Sequence, residues 1–310
     1  MNLWFKHIRL LALNEAIPFH TEALNQQCEQ LRFTPCPRHL PMSLGFVSPF
    51  SDNGEEALVY GFQNCLLVRL RIEERVVPAR VLREQLTQKI QLIETQEGRK
   101  IYAAEKVRLK DDLYQTLLSQ AFSHSTYVMA YVDTVRNWVL INTTAKRRVT
   151  AFISAFQKVT QRTLVAPTLQ PTHEVLTHWL LNTPPPPLSV LNHCVLKGIE
   201  PTTRTARFKA LDLNAPRIQA FLDGTLSVTQ LALQFGEHCS FTLKEDLHIS
   251  SIKFSETLKE TIQLDAQDAE AQATEELKLA AQFMLMTDTF STLLTALMPH
   301  FMLEQAVAVA

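Results

Sequence analysis

Glycine is scarce in this sequence. Only 7 of the 310 residues are glycine, well below the usual frequency of about 7%. None of them belongs to a Gly-x-Gly-x-x-Gly or a Gly-x-x-x-x-Gly-Lys-Ser/Thr motif. Since such motifs let the backbone approach phosphate groups closely, their absence excludes the familiar nucleotide-binding loops.

Paired cysteines and long apolar runs are also missing. The cysteines are odd in number, scattered, and contain no Cys-x-x-Cys motif: Cys28, Cys36, Cys65, Cys194 and Cys239. This usage predicts reduced, mostly buried thiols in a cytosolic protein. Neither a signal peptide nor an apolar run of about 18 residues occurs. We therefore expect a soluble cytoplasmic chain that does not bind a membrane.

Motifs for metal binding are weak. His193-Cys194 and His238-Cys239 together contain the residue types of a Cys2His2 zinc site. However, adjacent residues on a strand point to opposite faces of a sheet, so each pair offers one ligand to a common centre. No metal site is expected here.

Two carboxylate clusters are the best candidates for catalysis. Asp111-Asp112 and Asp265-x-x-Asp268-x-Glu270 have the residue types that nucleases use to hold two metal ions. Both clusters lie among helix-forming residues, and carboxylates at a helix start, where they complement the dipole, explain them more simply. No serine lies in a Gly-x-Ser-x-Gly context. We expect no catalytic residue and no cofactor, and hence a protein that is not an enzyme.

Charge is unevenly distributed along the chain. Hydrophobic residues make up 46% and charged residues 20% of a sequence whose formal net charge is −1. Residues 237–310 contain 4 basic and 12 acidic side chains, which leaves 26 basic and 19 acidic side chains in residues 1–236. A globular core can be built from this composition. A polyanionic partner would contact the basic body rather than the acidic end.

The segment Gly98–Phe122 is basic at its start and apolar towards its end. Residues 99–110 carry a net charge of +4, with one acidic residue among five basic ones: Arg99, Lys100, Lys106, Arg108 and Lys110. On a helix, Arg99, Lys106 and Lys110 would lie within about 40° of one another, in line with Leu113. The pattern predicts a helix with a cationic first half and a buried second half. The solvated face of an ordinary surface helix has the same pattern.

Alternation, turn residues and helix-capping residues divide the first 183 residues into helices and strands. Gln63-Asn64 predicts a hairpin turn, Pro78 and Gly98 bound a long helix, and Thr144 is a candidate N-cap. Strands are predicted at 3–13, 57–62, 65–72, 125–133, 138–141 and 163–166, and helices at 21–31, 79–96, 145–160 and 171–181. These elements form an N-terminal body, residues 1–183.

Pro184-Pro185-Pro186-Pro187 predicts a domain boundary, because a polyproline run can continue neither a helix nor a central strand. Residues 188–264 are predicted to be a β-rich tip, with strands at 190–199, 204–212, 225–235, 239–244 and 248–254 and a helix at 215–223. Residues 265–310 are predicted to be an acidic helix that folds back on the body, with packing positions Leu277, Ala281, Met284, Leu285 and Phe290.

Two further basic groups deserve a functional interpretation. Lys146-Arg147-Arg148 lies in the first turn of a predicted helix, where cations oppose the helix dipole, and binding of phosphate would explain the group. Tolerance of three exposed charges at a small cost is the alternative. In the tip, Arg204, Arg207 and Lys209 alternate with small or apolar residues, which places Arg207 and Lys209 on one face of a strand.

Five short segments give a family resemblance. In order and spacing the chain resembles the RdgC family of bacterial recombination-associated proteins, through Arg32-Phe33-Thr34-Pro35-Cys36, Leu109-Lys110-Asp111 leading into Ala121-Phe122-Ser123, Asp133-Thr134-Val135, Leu231-Ala232-Leu233 and Phe283-Met284-Leu285-Met286-Thr287. These are mostly packing residues, and the resemblance extends over nearly the whole chain.

The resemblance implies a fold and a function. The fold would be α+β, with mixed and antiparallel sheets, long helices, and a horseshoe-like subunit pairing into a ring-shaped homodimer. Such a protein would bind double-stranded DNA without sequence preference, and the resemblance leaves open whether it also binds single strands. It would be associated with the nucleoid and would restrain recombination promoted by RecA. The three basic groups described above would then contact DNA, and Phe122, Ala210 and Leu211 would lie at dimer contacts.

One departure from the family pattern affects the tip. The family has a Lys-Gln pair after the position of Lys209, where this chain has Ala210-Leu211, and a cationic place near Gln230 is uncharged. A more apolar tip contact is expected. Two alternatives to the DNA-binding regulator stay open: a metal-dependent nuclease that uses the carboxylate clusters, and a scaffold that binds a partner protein through the acidic C-terminal helix.

Overall fold

The computed structural model describes residues 3–18, 20–51, 56–198, 204–211, 213, 222, 226–264 and 271–302. They form an α+β fold. The helices are α1 (Thr21–Glu29), α2 (Ala79–Glu97), α3 (Ala103–Gln120), α4 (Lys146–Thr160), α5 (Thr172–Leu181), α6 (Glu256–Leu264) and α7 (Ala271–Leu297). The strands are β1 (His7–Leu13), β2 (Met42–Val47), β3 (Val59–Phe62), β4 (Cys65–Arg75), β5 (Ser123–Asp133), β6 (Trp138–Ile141), β7 (Leu164–Val165), β8 (Leu188–Gly198), β9 (Thr205–Lys209), β10 (Leu226–Phe235), β11 (Cys239–Lys244) and β12 (Ile249–Phe254).

The chain forms two compact units. Unit 1 consists of Met1–Thr21, Tyr60–Leu67 and Met129–Ala310, and unit 2 of Glu22–Val59 and Val68–Val128. Strands β4 and β5 each contribute residues to both units. The polyproline run lies inside unit 1, so these two units are not divided at the boundary that the sequence suggested.

Unit 1 contains an antiparallel sheet in the order β6-β1-β12-β11-β10-β8-β9, and β7 also pairs with β1. β10 pairs with β11 without a register shift, from Gln230 opposite Lys244 to Phe235 opposite Cys239. Alternation is clean on β11, whose side chains are buried and half-buried in turn. This is the pattern of a strand with one face on a core.

Aromatic side chains fill the core of unit 1. The ring centroids of Phe5 and Tyr131 lie 6.0 Å apart, and Phe283 of α7 lies 6.0 Å from Tyr131. Phe290, seven residues further along α7, lies 6.3 Å from Phe5. All four rings are fully or almost fully buried. Helix α7 therefore packs on the aromatic core of unit 1.

The predicted packing face of that helix needs a correction. Leu277 is 60% exposed and Met284 is 37% exposed, whereas the buried positions include Leu279, Phe283 and Met286. Apolar residues occur on every side of this helix, so periodicity does not single out one face. The acidic residues 265–270 lie outside the described residues.

Unit 2 is built on β2, β4 and β5. β2 pairs antiparallel with β4 from Met42 opposite Glu74 to Val47 opposite Arg69, and β5 is the next strand. β2 was not predicted, because its burial does not alternate and it contains Gly45. A Cβ atom on Gly45 would lie 2.4 Å from the Cα of Phe33. Only glycine fits this close approach of two backbone segments.

Most other predicted elements are present. The hairpins β3–β4 and β5–β6 have the predicted turns, and Gln63 and Asn137 in those turns adopt positive φ angles of 49° and 57°. The first strand is shorter than predicted, and the strand predicted at 204–212 ends at Lys209. The helix predicted at 215–223 lies outside the described residues. No helix among the described residues is long and apolar enough to cross a membrane.

Candidate nucleic-acid interface

The basic segment begins in the connection between α2 and α3, not on a helix. Gly98 ends α2 in the left-handed conformation with φ 63°, and its N–H donates to the Glu94 carbonyl at 3.0 Å. Ile101 is buried, and its N–H donates to Glu94 Oε1 at 3.0 Å. α3 starts only at Ala103. The single helical phase expected from Arg99 onwards is therefore wrong for residues 99–102, because a C-cap glycine ends the preceding helix.

Arg99 is held by carboxylates. Its Nη1 and Nη2 atoms donate to the two oxygens of Glu105 at 2.8 and 2.9 Å, and its Nε lies 2.7 Å from Glu97 Oε2. The hydrogen bonds from Arg99 lower the pKa of Glu105. This fork of two parallel N–H···O bonds fixes the α2–α3 connection. Arg99 is thus less available to a phosphate than its neighbours.

The remaining cations of the segment are exposed. Within the described residues none of four side chains forms an ion pair: Lys100, Lys106, Arg108 and Lys110. Further along α3, Leu113 and Leu118 are buried and anchor the helix. Within α3, the exposed cations thus lie at the start, and the two buried leucines lie further along the helix.

An exposed aromatic residue accompanies these cations. Tyr102 precedes α3 and is 77% exposed. Exposed aromatic rings among cations are typical of surfaces on which bases of single-stranded nucleic acid stack. Sequence reasoning missed this residue, although its position between Lys100 and Lys106 was a visible signal.

Other arginines of unit 2 are structural. The guanidinium of Arg69 lies 3.9 Å from the ring centroid of Tyr127, and that of Arg71 lies 4.3 Å from the centroid of Phe33. Arg75 donates to the carbonyls of Ala121 and Cys36 at 2.6 and 3.2 Å. These side chains are committed to the packing of β4 and its neighbours.

The second basic group lies in the first turn of α4. Lys146, Arg147 and Arg148 are all exposed. The N-cap is Ala145, which provides no side-chain cap, so the prediction of Thr144 as N-cap is wrong. Instead, the Oγ1 of Thr143 accepts from the Ala145 N–H at 3.2 Å. A helix start without a capping acceptor and with three cations favours an anion.

The third group lies on β9, the last strand in the sheet order of unit 1. Arg207 and Lys209 are exposed on one face, opposite Val195 and His193 of β8, as predicted. Arg204, just before the strand, is exposed too. Within the described part of the chain, none of these three cations has an ion-pair partner.

The predicted dimer contacts are all at the surface. Phe122 follows the end of α3 and is 95% exposed, so its expected place in the apolar part of that helix is wrong. Ala210 adopts a positive φ of 55° directly after β9, and Leu211 is 51% exposed. Phe122 therefore buries almost no surface against the described residues of its own chain.

The structure offers little for catalysis or metal binding. Asp111 and Asp112 lie in the middle of α3, so the explanation as helix-start carboxylates is wrong for this pair. Among the described residues, no group of three or more His, Cys, Asp or Glu side chains could hold a metal ion. Burial raises the pKa of Cys194 to about 11 and that of Cys239 to about 12. These thiols are protonated and inert at neutral pH.

Comparison with known proteins identifies the family. The family model described as "Putative exonuclease, RdgC" matches residues 3–304. The chain is 30% identical over 298 residues to a Pseudomonas putida protein (strain GB-1), covering 95% of this chain and 96% of that protein. It is 30% identical over 295 residues to a Proteus mirabilis protein (strain HI4320), covering 94% and 96%. Both relatives are named recombination-associated protein RdgC. The chain belongs to the RdgC family.

Proposed function

We propose that this protein binds double-stranded DNA without sequence preference and thereby acts in recombination. The observation that carries the proposal is the start of α3, where Lys106, Arg108 and Lys110 are exposed and, among the described residues, form no ion pair. Cations without carboxylate partners are free to replace the counterions of a phosphate backbone. The name of the relatives, recombination-associated protein, fits this role.

The proposal needs no base-specific contact. Lys and Arg side chains fix a protein on the phosphate backbone without reading sequence. The basic groups of α4 and β9 add six further exposed cations: Lys146, Arg147, Arg148, Arg204, Arg207 and Lys209. DNA affinity that comes mainly from phosphate contacts must fall steeply with salt.

We further propose that two copies pair through the exposed residues Phe122 and Leu211 and close into a ring around the duplex. Phe122 buries almost nothing in its own chain, and Leu211 is half exposed beside the basic strand β9. A closed ring would occupy the duplex and hinder a RecA filament without any chemical step. This proposal uses no metal and no cofactor.

The salt dependence of DNA binding tests the first proposal. Affinities for two unrelated duplexes are measured between about 50 and 200 mM salt, with the wild type and with a Lys106→Glu/Lys110→Glu variant. We expect equal slopes for both duplexes and a slope that is smaller by about two in the variant, since two phosphate contacts are lost. Lys253→Glu changes an exposed cation on β12 and serves as the control. Unchanged binding by the double variant would overturn the assignment of α3.

Closed circular DNA tests encirclement and nuclease activity together. Protein loaded on a plasmid is washed with high salt before and after the plasmid is cut once. A ring is retained on the circle and lost from the linear form, while equal loss from both contradicts a ring.

Incubation of labelled linear DNA with Mg²⁺ or Mn²⁺ tests the exonuclease named in the family description. Progressive shortening of the DNA would show exonuclease activity and would contradict the proposed role without a chemical step.

A further inference from the structure

A cavity of about 520 Å³ lies in unit 1, between β1, the start of α4 and the turn that joins β11 to β12. Its size falls in the range of small-molecule sites. Both polar and apolar side chains line it. Its lining includes Arg9, Lys146 and His248 as polar residues and Leu11, Ile153 and Leu164 as apolar ones.

The one carboxylate in the lining is already engaged. Asp246 accepts a short hydrogen bond from Arg9 Nη1 through Oδ2, and its Oδ1 accepts from the backbone N–H of His248 at 3.3 Å. Arg9 thus spends one of its five donors on Asp246, and its other donors have no acceptor in the described part of the chain. The charge of Asp246 is balanced, and Lys146 leaves the cavity with a net positive charge.

The start of α4 adds unsatisfied donors. In this first turn the N–H groups of Arg148 and Val149 donate to the Ala145 carbonyl at 2.9 and 3.0 Å. The N–H of Lys146 has no acceptor among the described residues, and no side chain caps the helix. The positive end of the helix dipole therefore meets the cavity where Lys146 and the hydroxyl of Thr144 line it.

His248 provides an observation of a different kind. Its side chain lines the cavity and the residue is only 7% exposed, yet its Nε2 has no hydrogen-bond partner among the described residues. Buried polar atoms are almost always paired, so an unpaired imidazole beside a cavity points to a ligand. Burial lowers the pKa of His248 to about 4, and the ring is neutral at pH 7 with one donor and one acceptor.

We propose that this cavity binds a phosphomonoester, with the phosphate at the start of α4 and the organic part against Leu11, Ile153 and Leu164. A helix N-terminus with Arg9, Lys146 and a threonine hydroxyl is a suitable donor set for a phosphate dianion. Leu11, Ile153 and Leu164 would contact the sugar and base. Two sources share this chemistry: a free nucleoside monophosphate and the phosphorylated 5′ end of a DNA strand. The inference does not depend on duplex encirclement.

Calorimetric titration of the full chain tests the site. The probes are inorganic phosphate, dAMP, deoxyadenosine, and a short oligothymidylate with either a 5′-phosphate or a 5′-hydroxyl. We expect dAMP to bind at least tenfold more tightly than deoxyadenosine, since a charge-assisted contact to phosphate contributes about a factor of ten or more. Tighter binding of the phosphorylated oligonucleotide than of its hydroxyl counterpart would assign the site to DNA ends. Binding of dAMP alone would assign it to free nucleotides.

Variants locate the binding. Lys146→Gln removes one cation from the cavity lining and should weaken dAMP about tenfold. Lys158→Gln changes an exposed lysine in the last turn of the same helix, outside the cavity, and should leave binding unchanged. Ala166→Phe fills the cavity from an exposed lining position without altering any charge and should abolish binding. If phosphate and dAMP do not bind saturably, or bind equally to wild type and Ala166→Phe, the proposal is overturned, whatever the affinity for closed circular duplexes.

Discussion

At the scale of single residues, close packing and unpaired polar atoms set the strongest constraints on this molecule. The surroundings of Gly45 require glycine at this position, because a Cβ there would lie 2.4 Å from Phe33 Cα and 2.5 Å from Phe33 N. The neighbours are backbone atoms, which cannot move aside as a flexible side chain can. The Arg32-Phe33 segment that helped to indicate the family is the same segment that requires this glycine.

Gly45→Ala should therefore destabilise the protein. The added methyl group must push β2 and the Arg32–Phe33 segment apart, at a cost of about 1–3 kcal/mol, the usual range for overpacking. Urea unfolding should show a lower midpoint with an unchanged slope. Gly98→Ala, at a glycine with nothing within 4 Å of its Cβ position, is the matched control for added bulk and should cost only the strain of its positive φ, about 1 kcal/mol. Equal stability of wild type and Gly45→Ala would contradict the packing seen here.

His248 predicts a pH dependence of stability. Its pKa is lowered from 6.5 to about 4, with burial as the largest cause; Asp246 opposes this decrease, and the charges of Lys244, Arg9 and His7 add to it. The unfolded state thus binds more protons between pH 6.5 and 4. The stabilising contribution is complete above pH 6.5 and is lost as the pH falls towards 4, by at most about 3 kcal/mol. Urea unfolding as a function of pH should show a shallower decline for His248→Gln. An identical decline would mean that His248 titrates normally.

At the scale of elements, the cations in the first turn of α4 lower the stability of the helix but favour the binding of an anion. Cations at a helix N-terminus are unfavourable by a few tenths of a kcal/mol each, and no N-cap side chain compensates here. The exposed Arg148 should therefore be a residue whose replacement stabilises the fold and weakens binding to DNA.

We predict that Arg148→Glu raises the free energy of unfolding by about 0.5 kcal/mol and lowers DNA affinity. Lys158→Glu reverses a charge in the last turn of the same helix, where a cation is favourable, so it should lower stability by a similar amount and leave DNA affinity unchanged. Thermal unfolding and fluorescence anisotropy with labelled duplex measure the two quantities. Loss of stability in Arg148→Glu would show that this arginine has a structural role.

Element boundaries were largely predictable, whereas the contacts that define the candidate sites were not. β11 matches the sequence prediction residue for residue because its alternation is regular, and Gly98 ended α2 as expected. β2 was missed because its pairing with β4, not its own pattern, specifies it. The Arg99–Glu105 pair spans a turn between two helices. Helical spacing rules do not apply across such a turn.

The cavity in unit 1 was even less predictable from the sequence than these contacts. Its lining combines Arg9, Lys146 and His248, which are far apart in sequence and meet only through the order of strands in unit 1. The absence of glycine-rich loops excluded familiar nucleotide sites but gave no information on a site built from side chains and a helix start. The basic first turn of α4 was the one visible signal, and the sequence left both of its explanations open.

At the scale of the whole molecule, the proposed self-association depends most on Phe122. It is 95% exposed, and in the proposed dimer it would be buried against the second copy. Burial of one phenylalanine side chain contributes about 1.5–3 kcal/mol, enough to shift a dimerisation constant by one to two orders of magnitude.

Phe122→Asp should thus convert a dimer to a monomer at micromolar concentration. Light scattering measures the mass, and the plasmid assay should show loss of retention on circular DNA while binding to short duplexes weakens only modestly. Val135→Asp, at a 64% exposed apolar residue in the β5–β6 turn, is the control and should leave the mass unchanged. A variant that keeps the wild-type mass would exclude Phe122 from the interface.

The position of strand β9 links the two proposed properties, DNA binding and self-association. Arg207 and Lys209 point outwards within a few residues of Leu211, at the end of the sheet of unit 1. Two copies that meet at Leu211 bring four like charges together, which opposes association at low ionic strength. A bound polyanion neutralises those charges. By thermodynamic linkage, DNA should tighten the contact at this end, and closure of the contact should tighten DNA by the same factor. A ring with this property would close more readily in the presence of DNA than in its absence.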